Sequence, residues 1–249
     1  EKETDERRGT GHFKKVMHAM DLLREGGLSF CGSFTHSRKN SDIISNSDFI
    51  DMLLKKGVFA MWLFSYVPVG RNPDPELMPT PEQRDGLRRT VVDYRATRPM
   101  LFIDFWNDGP MISGCLAGGR KYFHINANGD IEPCVFCHFA VDNIRRTTIH
   151  EALASPFFTR IRAKQGEHDN LLRPCMLIDH PATGRELFDS EGAYPTHEGA
   201  DEIFTGLAER MDDYSDHYAE IADPAWEEEF RDHSQNTNKK HVAGKGLPH

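Results

Sequence analysis

No stretch of this sequence is long and apolar enough to cross a bilayer. The longest apolar run, residues 58–69, is about half the ~20 residues that a spanning helix needs. The first ten residues, EKETDERRGT, are charged where a signal peptide would be apolar. A cytoplasmic protein with no membrane partner is therefore expected. Basic residues are also in deficit, 30 against 39 acidic ones, for a net charge of −9. Such a surface repels a phosphate backbone, so no nucleic-acid partner is expected. Cysteine is sparse and odd in number, five in all, with no export signal. That argues against a framework of structural disulfides and points to metal or redox use. The first residue is Glu rather than Met, and the chain is expected to be processed, trimmed or a piece of something longer.

What is present suffices for a folded core, since 38% of 249 residues are hydrophobic. Phe13, Val16, Met17, Met20 and Leu23 recur at helical spacing and predict a helix that ends at Gly26-Gly27. LSFCGSFT (28–35) predicts a strand, and Ser45 with Asp48 has the spacing of a capping box ahead of FIDMLLKKG. VFAMWLFSY (58–66) is almost wholly apolar, which predicts a strand covered on both faces in a parallel sheet. Thr80-Pro81-Glu82-Gln83 opens a helix through about Thr97, and PMLFIDF (99–105) predicts the next strand. This alternation is the rhythm of crossover units in a parallel sheet. Three parallel strands cannot close a barrel and leave an edge exposed, so earlier strands are expected to be missing.

Beyond Trp106 the texture changes. KYFHINANGDIEPC pairs an alternating strand with an Asn-Gly turn and a second short strand, a hairpin signal. Thr148 with Glu151 makes a capping box for a helix whose apolar face would carry Ile149, Leu153, Phe157, Phe158 and Ile161. From about Ser190 the pattern is acidic and helical, and RDHSQNTNKKHVAGKGLPH is expected to be disordered.

Cys134-Val-Phe-Cys137-His138 is the densest chemical motif, and alone it fits a c-type haem, a zinc site or part of an iron-sulfur cluster. Haem needs only this pair and the histidine, and would leave Cys115 and Cys175 idle. Four thiolates suit structural zinc, although zinc ribbons usually bring two close pairs rather than one pair and two singletons. They equally suit a cubane cluster with ligands from scattered loops. Spacing alone does not separate zinc from iron-sulfur.

The surrounding residues carry a resemblance. GCLAGGRKYFHINANGDIEPCVFCHFAVDNI, with Cys115, the Gly129-Asp-Ile-Glu-Pro-Cys134 element, Cys137 and Cys175, resembles the SPASM or twitch-type auxiliary-cluster region of radical S-adenosylmethionine enzymes. ERRGTGHFKKVMHAMDLL is similar to the segment after the third barrel strand of such enzymes, and IHEALASPFFTRIR to the helix that trails the hairpin. The resemblance implies one auxiliary 4Fe-4S cluster on Cys115, Cys134, Cys137 and Cys175. In the full-length protein it implies S-adenosylmethionine, a second 4Fe-4S cluster and an electron donor such as a flavodoxin or ferredoxin. The Cys-x3-Cys-x2-Cys loop of the family is absent from this sequence, so the chain by itself is expected to be inactive. The substrate, whether peptide, protein or small molecule, is not legible.

By the same resemblance Ser33, Thr35 and Tyr66 would line the S-adenosylmethionine pocket, with Asn40, Pro68 and Gly70 nearby. Strand-end hydroxyls also satisfy backbone groups, and Pro and Gly punctuate ordinary loops. Asp104, near Asn107 and Asp108, is a candidate for proton transfer because it lies in an otherwise apolar strand. Cys31 reads as a small buried residue. His138 is either a donor toward a cluster sulfur or a surface residue, and His124 carries no claim. The expected architecture is α/β: the latter part of an incomplete (β/α) barrel at 1–110, a β-hairpin and helix cluster-binding domain at 111–180, and an acidic helical tail at 181–249. The competing reading is a non-enzymatic zinc scaffold whose acidic tail docks a partner.

Overall fold

The computed structural model describes residues 1–231, and the polar stretch expected to be disordered lies beyond them apart from Arg231. The chain divides into two compact units, one of residues 1–66 and 76–105, the other of residues 67–75 together with the chain from Trp106 on.

In the first unit, α1 (Lys2–Arg8) and α2 (His12–Glu25) precede β1 (Phe30–His36). Then come α3 (Ser41–Ile44), α4 (Ser47–Lys56), β2 (Val58–Ser65), α5 (Pro81–Thr97) and β3 (Leu101–Asp104). The three strands form one parallel sheet in the order β1-β2-β3. Each helix follows from local chemistry. Thr80 and Gln83 close a capping box on α5 with Pro81 at the first turn. Gly57, at φ 93°, ends α4 in the left-handed region that suits glycine. The cap of α4 is Asn46, whose side chain accepts the amides of Asp48 and Phe49, and not the expected Ser45. Asn prevails because it directly precedes the helix and its side-chain oxygen reaches two amides of the first turn, whereas Ser45 is still the C-cap of α3.

One face of the sheet is the core. Ile50 and Leu53 of α4 and Leu87, Val91 and Tyr94 of α5 pack with Met61, Leu63 and Phe102. The register puts Cys31, Ser33 and Thr35 beside Ala60, Trp62 and Phe64 on the opposite face. That face is not covered as the apolar run of β2 led us to expect. Trp62 is 40% exposed, Leu101 56%, and Cys31, expected to be buried, is exposed as well. All the core helices named pack on the other side, so an apolar sequence here did not mean burial on two faces.

The second unit holds α6 (Gly109–Ile112), β4 (His124–Ile125), β5 (Ile131–Glu132), β6 (Phe139–Ala140), α7 (Ile149–Ala154), α8 (Pro156–Gln165), α9 (Pro181–Ser190), β7 (Tyr194–Pro195) and α10 (Ala208–Trp226), which runs on as π-helix through Arg231. β4 pairs antiparallel with β5, and β6 with β7. The single helix expected after Thr148 is two. Pro156 has no N–H to continue the ladder, and Ser155 starts α8 anew by accepting the Phe158 amide. Phe157, Phe158 and Ile161 are buried, but Ile149 is 46% exposed. The acidic helix begins at Ala208, later than its composition suggested, and it packs within this unit. Asn170 bonds the Ala222 carbonyl, and the Ser215 hydroxyl donates to the Asp179 carbonyl at 2.6 Å. No helix among the described residues is long and apolar enough to cross a membrane.

Candidate metal centre

Four free cysteines converge in the second unit, each placed by a different local device. Cys115 follows α6 through Ser113 and Gly114, both left-handed, at φ 62° and 94°. A non-glycine residue there costs roughly 1–2 kcal/mol. The Arg120 guanidinium holds the loop against that cost by donating to the carbonyls of Cys115 (2.7 Å), Ser113 (2.8 Å), Ile112 (2.9 Å) and Gly114 (3.1 Å). Gly118 and Gly119, also left-handed, turn the chain back, and the Gly118 amide donates to the Pro133 carbonyl at 2.9 Å. That bond ties the Cys115 loop to the residue before Cys134.

Cys134 and Cys137 close a tight turn through the Cys137 amide and the Cys134 carbonyl at 3.1 Å, and Phe136 packs edge-on to Trp106 at 4.8 Å. Cys175 begins a turn in which its amide donates to Asp179 Oδ2 at 3.0 Å while the amides of Asp179 and His180 return to its carbonyl. Asp179 is wholly buried.

The four thiols share one electrostatic environment. Burial raises all of them. It pushes Cys134 up to about 12, with the Cys115 charge adding to the rise. Cys137, 4% exposed, stands well above the usual thiol range through burial and then the charges of Cys134 and Cys175. Cys175 is raised by burial, then by Asp179, Cys115 and Cys134. Cys115 is raised by burial and eased downward by the Ala117 amide and by Arg120. Each sulfur also receives a backbone amide from two residues on, namely Ala117, Phe136, Phe139 and Leu177. Such amides stabilise thiolate over thiol. At the same time, no three His, Cys, Asp or Glu side chains among the described residues stand close enough to grip a single ion.

Sequence reasoning identified the four cysteines and missed the residues that set their surroundings: Arg120, Tyr122, Asp179 and Gln165, which contacts the Cys115 thiol. Only their closeness to cysteine in sequence could have signalled the first three. His138, read as either a sulfur-directed donor or a surface group, bonds the Val135 carbonyl (3.0 Å) and His197 (2.7 Å). His124 pairs with the buried Glu132 at 2.6 Å.

The candidate cofactor residues lie in the first unit. Ser33 and Thr35 share the open face of the sheet, where Trp62 stacks on Phe64 at 5.2 Å. Asn40 braces that strand end by donating to the Thr35 carbonyl at 2.8 Å while its Oδ1 accepts the Ser37 amide at 2.8 Å. The Tyr66 amide donates to the His36 carbonyl at 2.8 Å. Asp104 is not brought together with them. It is 2% exposed and pairs in register with Leu63, on the face where the helices pack. His36, which the sequence did not flag, is fully buried with Nε2 2.9 Å from the Ser41 hydroxyl, and burial, then Arg84, pushes it down to about 4.

Comparison with known proteins bears on this arrangement. Residues 115–176, which contain all four thiols, match the SPASM family, an iron-sulfur cluster-binding domain. Over 191 residues the chain is 24% identical to the AdoMet-dependent heme synthase of Nitratidesulfovibrio vulgaris, covering 66% of this chain and 51% of that protein. It thus spans about half the length of the curated relative it matches. Among solved structures it is similar to native anSMEcpe with bound AdoMet and the Cp18Cys peptide, at TM-score 0.49 and 13% identity over 82% of this chain and 63% of that one. Native anSMEcpe with bound AdoMet gives TM-score 0.47 and 13% identity over 82% and 61%. Residues 115–176 therefore match an iron-sulfur cluster-binding domain of the SPASM family, and the chain that carries them is similar to an AdoMet-dependent heme synthase.

Proposed function

We propose that Cys115, Cys134, Cys137 and Cys175 hold one auxiliary 4Fe-4S cluster, in a part of a radical SAM enzyme that modifies or oxidises its substrate. The carrying observation is that the four cysteines, each turned by its own loop and raised by burial, all lie in the stretch that matches an iron-sulfur cluster-binding domain. Zinc would draw the four sulfurs to within about 3.8 Å of one another, from bonds of ~2.3 Å in a tetrahedron. A cubane separates them, because each sulfur binds a different iron. Four cysteine thiols, each near a backbone amide, are the donor set such a cluster takes. When bound, the cluster supplies one-electron redox capacity or a coordination point for substrate.

The protein's own share is placement and shielding. Arg120 fixes the first thiol and sets a positive charge behind it, Asp179 shapes the turn that presents the last, and Trp106 with Phe136 packs beside the central pair. On this reading residues 1–110 are the latter part of a radical SAM barrel whose open sheet face carries Ser33, Thr35 and Tyr66 toward S-adenosylmethionine. Residues 111–180 form the auxiliary-cluster domain and 181–249 the acidic helical part. Asp104, buried among the helices, is left out of the proposed chemistry. An electron donor of flavodoxin or ferredoxin kind, and a second 4Fe-4S cluster in the full-length protein, complete the proposal.

The test is metal and sulfide analysis of anaerobically prepared protein. About four iron and four sulfide per chain are expected, with broad brown absorbance that collapses in Cys115→Ser and Cys134→Ala. A colourless protein holding one zinc would overturn the reading in favour of a metal scaffold.

A further inference from the structure

The chain after α9 lies across the cysteine-bearing hairpin and buries nothing of its own. Phe188 and Ala200 are buried, but none of residues 189–199 is. What holds this segment down is hydrogen bonding. In β7, Tyr194 pairs with Ala140 and Pro195 with Phe139, and the Thr196 amide donates to the His138 carbonyl at 3.0 Å. The Tyr194 hydroxyl donates to Asp130 Oδ1 at 2.8 Å and the Thr196 hydroxyl to Glu132 Oε1 at 2.5 Å. The chain beneath is the reverse in character: Asp130, Glu132, Phe139 and Ala140 are buried, as is Cys137 just before the bonded stretch. Gly192 and Gly199 stand at the two ends of the segment, left-handed at φ 64° and 76°. Both have open space, with nothing within 4 Å of a Cβ at Gly192 and only the Glu202 side chain, at 3.8 Å, at Gly199.

We propose that residues 193–198 are a strap that opens about Gly192 and Gly199 to load and release the auxiliary cluster. What passes rests on the proposed four-thiolate cluster; the opening itself does not. A segment without a buried side chain opens at low free-energy cost, whereas elements whose side chains fill the core open only with the whole unit. Ile131 of β5 and Phe157, Phe158 and Ile161 of α8 are of the second kind, each at most 1% exposed. A buried metal site also needs an entry path. The strap is the cover that lifts without disturbing that core, and lifting it uncovers the chain on both sides of Cys134 and Cys137. Glycines at the ends absorb the backbone rotation, as hinge positions do.

Tyr194→Phe deletes the bond to Asp130, which keeps Asn126 and Asn143 as donors, so the hairpin stays held. Loss of one bond to a carboxylate favours the open strap about tenfold. In protein loaded with its cluster, release of iron to a chelator should therefore quicken about tenfold. Reassembly from iron and sulfide should quicken by the same factor, at unchanged final iron content. A contact that only stabilises the fold would speed loss and slow reassembly; that pattern, or either rate changed less than twofold, would overturn the inference. Thr196→Val, which deletes the bond to Glu132, is the second variant and carries the same expectation. Hydrogen exchange of the unaltered protein tests the opening without iron. The Thr196 amide should exchange at least about tenfold faster, after correction for sequence, than the Ile131 amide, which donates to the Asp142 carbonyl at 2.9 Å. Equal protection of the two overturns the strap. Absence of iron and sulfide from the unaltered chain overturns the four-thiolate reading instead, and with it the cargo, while the exchange comparison still decides the opening.

Discussion

Gly118→Ala is a direct probe of how the thiol-bearing loops are joined. Gly118 sits at φ 68°, and a Cβ there would lie 2.3 Å from Ile161 Cγ2, a fully buried side chain on α8. Gly192, in the same unit, has nearly the same backbone angle, φ 64°, but no atom within 4 Å of such a Cβ. Gly192→Ala therefore measures the left-handed backbone cost alone, about 1 kcal/mol. Gly118→Ala adds an overpacking cost of about 1–3 kcal/mol, because the methyl must displace Ile161 or the loop. The expected difference between the two variants is thus ~1–3 kcal/mol. It is obtained from urea midpoints at unchanged slope, with fluorescence of the buried Trp106 as one probe. If the loop moves instead of Ile161, the Gly118 amide leaves the Pro133 carbonyl and Cys115 shifts relative to Cys134, so iron content should drop in Gly118→Ala and not in Gly192→Ala. Equal midpoints for the two variants would refute the close approach of this loop to α8.

Arg120→Leu removes four donors from the carbonyls of residues 112–115, and a loss of about 2–4 kcal/mol with lowered iron content is expected from thermal melts and iron analysis, partly restored by Arg120→Lys. His36 is held neutral while the unfolded chain titrates near 6.5, so below that pH the unfolded state binds a proton that the folded state refuses until about 4. Stability should fall by up to ~3 kcal/mol as pH drops across that window, and His36→Gln should flatten the slope in urea titrations at several pH values. Asn46→Ala should cost about 1 kcal/mol in the same assay, whereas Ser45→Ala should cost almost nothing; the reverse ranking would return the cap to Ser45.

The residues that announce themselves in the sequence are those whose role is local. The capping boxes at Thr80 and Thr148, the left-handed glycine after α4 and the close pair Cys134 and Cys137 all stand where their spacing places them. Each depends on bonds between groups a few residues apart, and so a short stretch of chain contains the whole cause. The α/β alternation with a parallel sheet was legible for the same reason, since periodicity is a local property.

What the tertiary structure decided are matters of which distant groups share a space. The burial that β2's apolar sequence promised on two faces is delivered on one, because the helices named above pack on one side only. Cys31 is exposed, against expectation, because strand register and not residue type assigns the face. Cys175 joins a pair of thiols about forty positions earlier in the chain, and Asp179, Gln165 and Tyr122 arrive beside them from three separate segments. Charge and hydrogen bonding across such gaps depend on distances set by packing, which the order of residues does not state. The sequence by itself determined which thiols are candidate ligands; only the fold decided how each is buried and what surrounds its sulfur.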